Sequence, residues 1–262
     1  MSERKVCVVS GSSSGIGAAT VKRFAREGWD VVVNFSRSRE PAEAVAAECR
    51  ALGRERGGAQ GVQALVLQAD IADDAQCRAM AQQVQQQLGR CDVLVNNAGT
   101  TKFVPLKQMD GLQAQDFHDI YAVNVVGTYQ LTRAFVPLLR AQPHAGVVNI
   151  SSVASMMGRG SSIAYMASKG AVNAMTVGLA RALAPGIRVN AIAPGLVDSP
   201  WLRQGLGERY PKYVKDWTDR AALEDVLQPE DVADAAWWLG AGAAKTTGEV
   251  LLLDAGFRLT KA

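Results

Sequence analysis

Lys5-Val6-Cys7-Val8-Val9-Ser10-Gly11-Ser12-Ser13-Ser14-Gly15-Ile16-Gly17 is the stretch that decides how this chain folds. Residues 5–10 read as a buried strand and run directly into a glycine-rich turn. From Ala18 to Gly28 the period becomes helical, with Ala18, Val21, Phe24 and Ala25 on one face. Strand, glycine turn and helix in that order bring backbone N–H groups and a helix N-terminus to one place, where a pyrophosphate can be held. The spacing is Gly-x-x-x-Gly-x-Gly. Alone it is a weak motif, because a glycine turn before a helix is often only a turn.

The same alternation continues to the C-terminus. Candidate strands lie near residues 5–10, 30–35, 63–68, 92–95, 146–151, 187–193 and 249–253, with helical runs between them. Strands alternating with helices predict a parallel sheet covered on both faces, here a doubly wound α/β sheet of seven strands. A length of 262 residues suits one domain with a substantial core, and no second domain is required. Leu196 to Gln228 is the least regular segment, holding Pro200, Trp201, Gly205, Gly207, Pro211 and Trp217 without a strong period.

The charge balance, 28 basic against 25 acidic residues, is too even to imply nucleic-acid binding. Arg50, Arg54 and Arg56 cluster beside Gly53, Gly57, Gly58 and Gly61 without interleaved aromatics, which reads as a solvated loop over 53–61. Cys7, Cys49, Cys77 and Cys91 are widely spaced and read as buried free thiols rather than a disulfide framework or zinc site. His118 and His144 lie in no motif, so no metal is expected. The N-terminus lacks a signal-peptide apolar region and no run of about eighteen apolar residues occurs, so a soluble, cytoplasmic protein without membrane contact is expected.

Tyr165 and Lys169 are four residues apart, which in a helix places phenol and ammonium one turn apart on one face. A cation there favours the phenolate and lowers the phenol's pKa, tuning a proton donor of the kind that carbonyl reduction needs. Ser152 lies thirteen residues before Tyr165, at the end of the apolar run Val147-Val148-Asn149-Ile150, where a hydroxyl can polarise a carbonyl. Strand alternation sends Ser151 to the opposite side.

Together with Asn96-Asn97-Ala98-Gly99 after the strand Asp92–Val95, Asn124, Asn149-Ile150-Ser151-Ser152 and Pro194-Gly195, these segments resemble the short-chain dehydrogenase/reductase family over nearly the whole chain. Within it the chain is most similar to the branch of 3-oxoacyl-carrier-protein reductases. The resemblance implies a Rossmann-like single domain, residues 1–262, with a substrate loop and lid at about 196–228. It implies catalytic roles for Asn124, Ser152, Tyr165 and Lys169. In that pattern the asparagine holds a water that relays protons, and the lysine also bonds the nicotinamide ribose. The implied cofactor contacts are Gly11, Ser13, Ser14, Gly15, Ile16, Gly17, Ser36, Arg37, Asp70, Ile71, Asn97, Ala98, Gly99, Tyr165, Lys169, Pro194, Gly195 and Val197. Asp70 is favoured for the adenine amino group, and Asp73 as a helix N-cap. Asp198 and Ser199 are expected near the nicotinamide, and Trp201, Leu202 and Tyr210 along an apolar pocket; Trp217 reads equally well as pocket or core.

NADP(H) is expected in preference to NAD(H). An NAD-selective site usually has a carboxylate at the end of the second strand, and counting from Gly11 places uncharged Phe35 there. Ser36, Arg37 and Ser38 can meet a 2′-phosphate, although Ser14 stands where many NADP-dependent relatives carry a basic residue. The implied reaction interconverts a ketone and a secondary alcohol, with 3-oxoacyl thioesters as one substrate class. Ala141-Gln142-Pro143-His144-Ala145 and Ala184-Pro185-Gly186 lack the basic residues expected for docking an acidic carrier protein. A sugar or secondary-alcohol dehydrogenase, and a nucleotide-binding protein without turnover, remain open. Gly170, Ala171, Ala174 and Gly178, with Trp237-Trp238, suggest subunit contacts in a homotetramer, a core position for either tryptophan being nearly as good a reading.

Overall fold

The computed structural model describes residues 4–55 and 61–259. Seven strands form one sheet: β1 (Val6–Val9), β2 (Asp30–Phe35), β3 (Ala64–Gln68), β4 (Val93–Asn96), β5 (Ala145–Ile150), β6 (Ile187–Pro194) and β7 (Val250–Leu253). Their order is β3-β2-β1-β4-β5-β6-β7 and every pair is parallel. The order reverses direction between β1 and β4, so the carboxyl ends of these strands open the crevice in which such sheets bind ligands.

The helices are α1 (Gly15–Arg26), α2 (Arg39–Glu55), α3 (Asp74–Leu88), α4 (Ala114–Tyr121), α5 (Thr128–Arg140), α6 (Ala154–Met157), α7 (Ile163–Leu183), α8 (Pro200–Leu206), α9 (Tyr210–Thr218) and α10 (Pro229–Trp237). Strand alternation divides the core. Cys7, Val9, Val31, Val33 and Phe35 face α1, α2 and α10, while Val6, Val8, Val32 and Leu94 face α3, α5 and α7. The face predicted for α1 is the buried one: Ala18, Val21, Phe24 and Ala25 all pack inward. Near-continuous burial of β1, β2, β4 and β5 is what a sheet covered on both sides requires.

Three expectations change. The basic segment near residue 50 is not loop throughout, since α2 runs to Glu55 and includes Arg50, Gly53 and Arg54. Arg50 donates to the Ala64 carbonyl at 2.8 Å, and a Cβ on Gly53 would lie 2.6 Å from Val62, so helix and strand meet closely. Arg56, Gly57 and Gly58 lie outside the described residues. Second, Leu196–Gln228 contains α8 and α9: Ser199 accepts from Leu202 N at 3.3 Å as the α8 N-cap, and Pro200 and Pro211 sit in first turns, where a missing N–H costs nothing. Third, of the two readings for the tryptophan pair Trp237 takes the core one, packing partly buried against it. Its ring is 4.9 Å from Phe24 and 5.4 Å from Trp29, edge to face, whereas Trp238 remains exposed.

Candidate active site

A cavity of about 700 Å³ lies along the carboxyl edge of the sheet, from Arg37 and Asp70 at one end to the α8–α9 segment at the other. At its floor Gly11 has φ +60, and a Cβ there would meet Ala98 Cα at 2.9 Å. Gly17 admits no side chain either: a Cβ would lie 2.5 Å from both the Gly11 carbonyl and Asn97 Nδ2. These two glycines let turn, helix and the Asn97-Ala98 segment close on one another. Asn97 Nδ2 donates to the carbonyls of Ser10 and Gly11, both at 2.9 Å, and Ser10 Oγ accepts from Asn97 N and Ala98 N at 3.0 and 3.1 Å.

The sequence reading missed a hub at Asn34. This buried side chain accepts from Gly11 N at 3.0 Å and donates to the carbonyls of Leu67 and Ala69 at 3.3 and 3.1 Å, tying the glycine turn to β3. No acidic residue stands in the first turn of α1, so its N–H groups keep their positive end toward the cavity. The cradle fits a dinucleotide pyrophosphate.

Gly11, Ser14, Gly15, Ile16, Ser36, Arg37, Asp70, Ile71, Asn97, Ala98, Gly99, Pro194, Gly195 and Val197 all line the cavity, as do Ser152, Tyr165 and Lys169. Ser13, Gly17 and Asn124 do not. Gly17 is buried beneath the turn and Ser13 is partly exposed. Asp73 caps α3, accepting from Ala75 N and Gln76 N, and the Asp70 carboxylate accepts from Ala72 N at 3.0 Å. Counting had placed Phe35 at the cofactor position. Its ring instead turns into the core at 3 % exposure, and alternation brings Asn34 and Ser36 to the cavity, so the residue facing the cavity at this strand end is Ser36.

The other half is built by α7. Ser162 caps the helix, accepting from Tyr165 N at 3.3 Å, which puts Tyr165 in the first turn and Lys169 one turn later. Ser152, just past β5, has its Oγ fixed by the Ala154 amide at 3.1 Å and lines the same cavity as Tyr165. Lys169 is buried, donates to the Ile150 carbonyl at 2.7 Å and lies 5.6 Å from the Tyr165 ring centre. The expected lowering of the phenol's pKa by Lys169 is not what this arrangement produces. Burial pushes Tyr165 up to about 12, opposed by the neighbouring Ser152 hydroxyl, while burial pulls Lys169 down to about 8. The ammonium is held by the Ile150 carbonyl, beside the ring.

Asn124 sits behind this pair in a π-helical stretch, Ala122–Gly127, a local widening frequent at functional sites. Its Oδ1 accepts from Thr100 N at 2.8 Å, and Nδ2 donates to the Thr100 carbonyl and to Ser168 Oγ, each at 3.0 Å. The side chain therefore clamps the Gly99-Thr100 turn onto α7. A Cβ on Gly99 would lie 3.3 Å from Asn124 Oδ1 and 3.6 Å from Lys169 Nζ, so this turn closes the space behind the cation.

The lid segment divides. Ser199, Trp201, Leu202 and Trp217 line the cavity. Asp198 and Tyr210 do not: Asp198 accepts from Arg203 at 2.8 and 2.7 Å and from the Tyr210 hydroxyl at 2.5 Å, a latch holding α8 and α9 to the end of β6. Trp217 combines both of its expected roles, being 7 % exposed and stacked on Phe257 at 3.7 Å.

Burial of Lys169 gives a test by titration. A lysine whose pKa is depressed on folding destabilises the fold while protonated; the penalty is complete below about pH 8 and is relieved as pH rises toward the ordinary value of 10.5. Lys169→Met is therefore expected to raise the melting temperature of the cofactor-free protein at pH 7, by an amount that shrinks between about pH 8 and pH 10. Paired thermal melts across that range check this. An advantage independent of pH would contradict the buried charge.

A glycine cradle at the switch point of a doubly wound sheet, opening onto a serine, a tyrosine and a lysine in one cavity, defines a dinucleotide-dependent oxidoreductase. Comparison with known proteins narrows the class. Residues 5–208 match the model of the short chain dehydrogenase family. A protein of Streptomyces violaceoruber named as a candidate ketoacyl reductase 2 of the granaticin polyketide synthase is 38% identical over 257 residues, covering 98% of this chain and 97% of its own. A 3-oxoacyl-acyl-carrier-protein reductase of Staphylococcus aureus is 33% identical, covering 98% and 99%. The crystal structure of a candidate short-chain dehydrogenase/reductase from Burkholderia xenovorans superposes with a TM-score of 0.89 at 43% identity, covering 99% of this chain and 100% of that one. The chain belongs to the short-chain dehydrogenase/reductase family. It is a nicotinamide-dependent oxidoreductase interconverting keto and alcohol groups. Among the described residues no helix is long and apolar enough to cross a membrane.

Proposed function

We propose that this protein reduces a ketone to a secondary alcohol with NADP(H), using Tyr165 as proton donor. The observation that carries the reading is that Ser152, Tyr165 and Lys169 line the same cavity as the glycine cradle. When bound, the nicotinamide supplies the hydride. Ser152 presents its hydroxyl to the substrate oxygen and stabilises charge as it develops there. Tyr165, kept protonated by burial and placed at a helix N-terminus that favours the phenolate left behind, delivers the proton. Lys169 stands one turn away as a cation that steadies that phenolate, and the Asn124 clamp keeps it in place. One domain does this, with residues 196–228 as its substrate lid.

3-Oxoacyl thioesters are the substrate class suggested by the names of the relatives. Residues 141–145 and 184–186 carry no Lys or Arg, which weakens docking of an acidic carrier protein, although Arg140 and Arg181 end the helices that flank these segments. Mixing protein, NADPH and a panel of ketones, oxoacyl thioesters and sugars tests the reading: loss of NADPH absorbance with at least one ketone or oxoacyl thioester supports it, and no loss with any refutes it.

The protein is proposed to work as a homotetramer. The outer side of α7 leaves Gly170 and Gly178 with open space above them, and Val177, Val126 and Tyr129 are exposed on α7, the π-helical stretch and α5. Light scattering is expected to give about four times the 27.8 kDa chain mass, and the mass of one chain would contradict the assembly.

A further inference from the structure

Past Tyr165 the cavity is walled by aromatic rings from separate parts of the chain: Phe103 after β4, Trp201 on α8, and Tyr213 and Trp217 on α9. Phe103 and Trp201 lie 5.5 Å apart at a tilt of 53°, and Trp201 is 6.4 Å from the Tyr165 ring. The indole is 46 % exposed, a large apolar surface left in solvent beside the proton donor. Its place is fixed from both sides. Gly205, one turn after Trp201, backs directly onto Phe103, where a Cβ would lie 2.1 Å from two ring carbons, so α8 reaches this position only because residue 205 has no side chain. In the same helix, Arg203 is held by two hydrogen bonds to Asp198, which precedes α8.

Two polar side chains near the rings are already placed. The Ser161 hydroxyl shares a 2.6 Å hydrogen bond with Thr101, and exposed Arg159 lies over Phe257 at 5.5 Å. A flat apolar ligand would cover the exposed indole.

Resting on the reductase reading above, we propose that Trp201 is a platform selecting ketones joined to a flat apolar ring system, with Phe103 and Gly205 positioning it. The substrate ring lies along the open face of the indole, and its carbonyl reaches the Ser152 and Tyr165 hydroxyls. Phe103 buttresses the platform from behind, and Gly205 sets how close the lid helix comes.

The test compares three probes with NADPH: acetonaphthone as a fused-ring ketone, an acetoacetate ester as a small linear one, and an aldohexose. The parent is expected to show a kcat/KM for acetonaphthone at least about tenfold above that for the ester, and little turnover of the sugar. Trp201→Ala should lower the acetonaphthone value about tenfold while changing the ester value by less than about threefold, and Trp201→Phe should restore most of the loss. Gly205→Ala should raise KM for acetonaphthone with the pH profile of kcat unchanged. Equal losses for both ketones in Trp201→Ala, or no preference in the parent, would overturn the platform and leave the reductase reading standing. Absence of turnover with every probe would overturn the platform, and absence with the oxoacyl thioesters of the panel above as well would overturn both.

Discussion

Tyr165→Phe is expected to lower turnover by about 10² to 10⁴ while leaving cofactor affinity within a few-fold. The substitution removes one oxygen and almost no volume, so the α7 N-terminus, capped by Ser162, has no reason to move. What disappears is the hydroxyl proposed to carry the proton. Because the two hydroxyls are proposed to act on one substrate oxygen, Ser152→Ala should cost a comparable factor, and the double variant little more than either alone. Steady-state turnover with cofactor affinity measured in parallel checks this. Tyr165→Phe retaining a tenth of the parent rate would remove Tyr165 from its role.

The second large effect concerns the cofactor. Ser36 and Arg37 line the cavity at the end of β2, and Arg37 is exposed and makes no ion pair among the described residues. Arg39, its neighbour, is already paired with Glu43 at 3.2 Å and lies over the Phe35 ring. Arg37→Ala is therefore expected to weaken NADPH by about tenfold to a hundredfold, the worth of a charge-assisted hydrogen bond, and NADH by less than about threefold. Ser36→Asp should go further and reverse the preference, because a carboxylate there repels a 2′-phosphate and accepts from ribose hydroxyls. The same charge at Phe35 would be buried in the core and would disrupt folding instead. Dissociation constants for both cofactors on parent and variants decide the matter. Tighter binding of NADH by the parent would contradict the reading of this strand end.

Phe35 also shows where a linear sequence stops being informative. The strands, the glycine turn and the Tyr165–Lys169 pair were legible because each follows a local period: alternation for β1 to β7, a spacing of four on α7. Counting along β2 finds the strand end but not which side each residue faces. The period of two then sends Phe35 inward and Ser36 outward. Contacts between distant segments leave no such trace. Asn34 reaching Gly11 and Ala69, Gly205 seated on Phe103, and Tyr210 bonded to Asp198 each join residues with no shared period. Trp237 and Trp238 are adjacent and chemically identical, yet one completes the cluster with Phe24 and Trp29 while the other faces solvent. The pKa of Tyr165 is another case. Spacing identified the cation but could not foresee that Lys169 would be held by the Ile150 carbonyl, leaving burial to dominate.

The central claim is that hydride passes from a nicotinamide to a ketone carbon in this cavity while Tyr165 protonates the oxygen. NADPH deuterated at the nicotinamide C4, each diastereomer in turn, tests it most directly, with the alcohol product analysed by mass spectrometry. The account predicts that one diastereomer places a single deuterium on the carbinol carbon, that the other gives unlabelled alcohol, and that Tyr165→Phe slows both reactions alike. Alcohol that remains unlabelled from both diastereomers, or labelled cofactor left unconsumed in the presence of every ketone supplied, would contradict it.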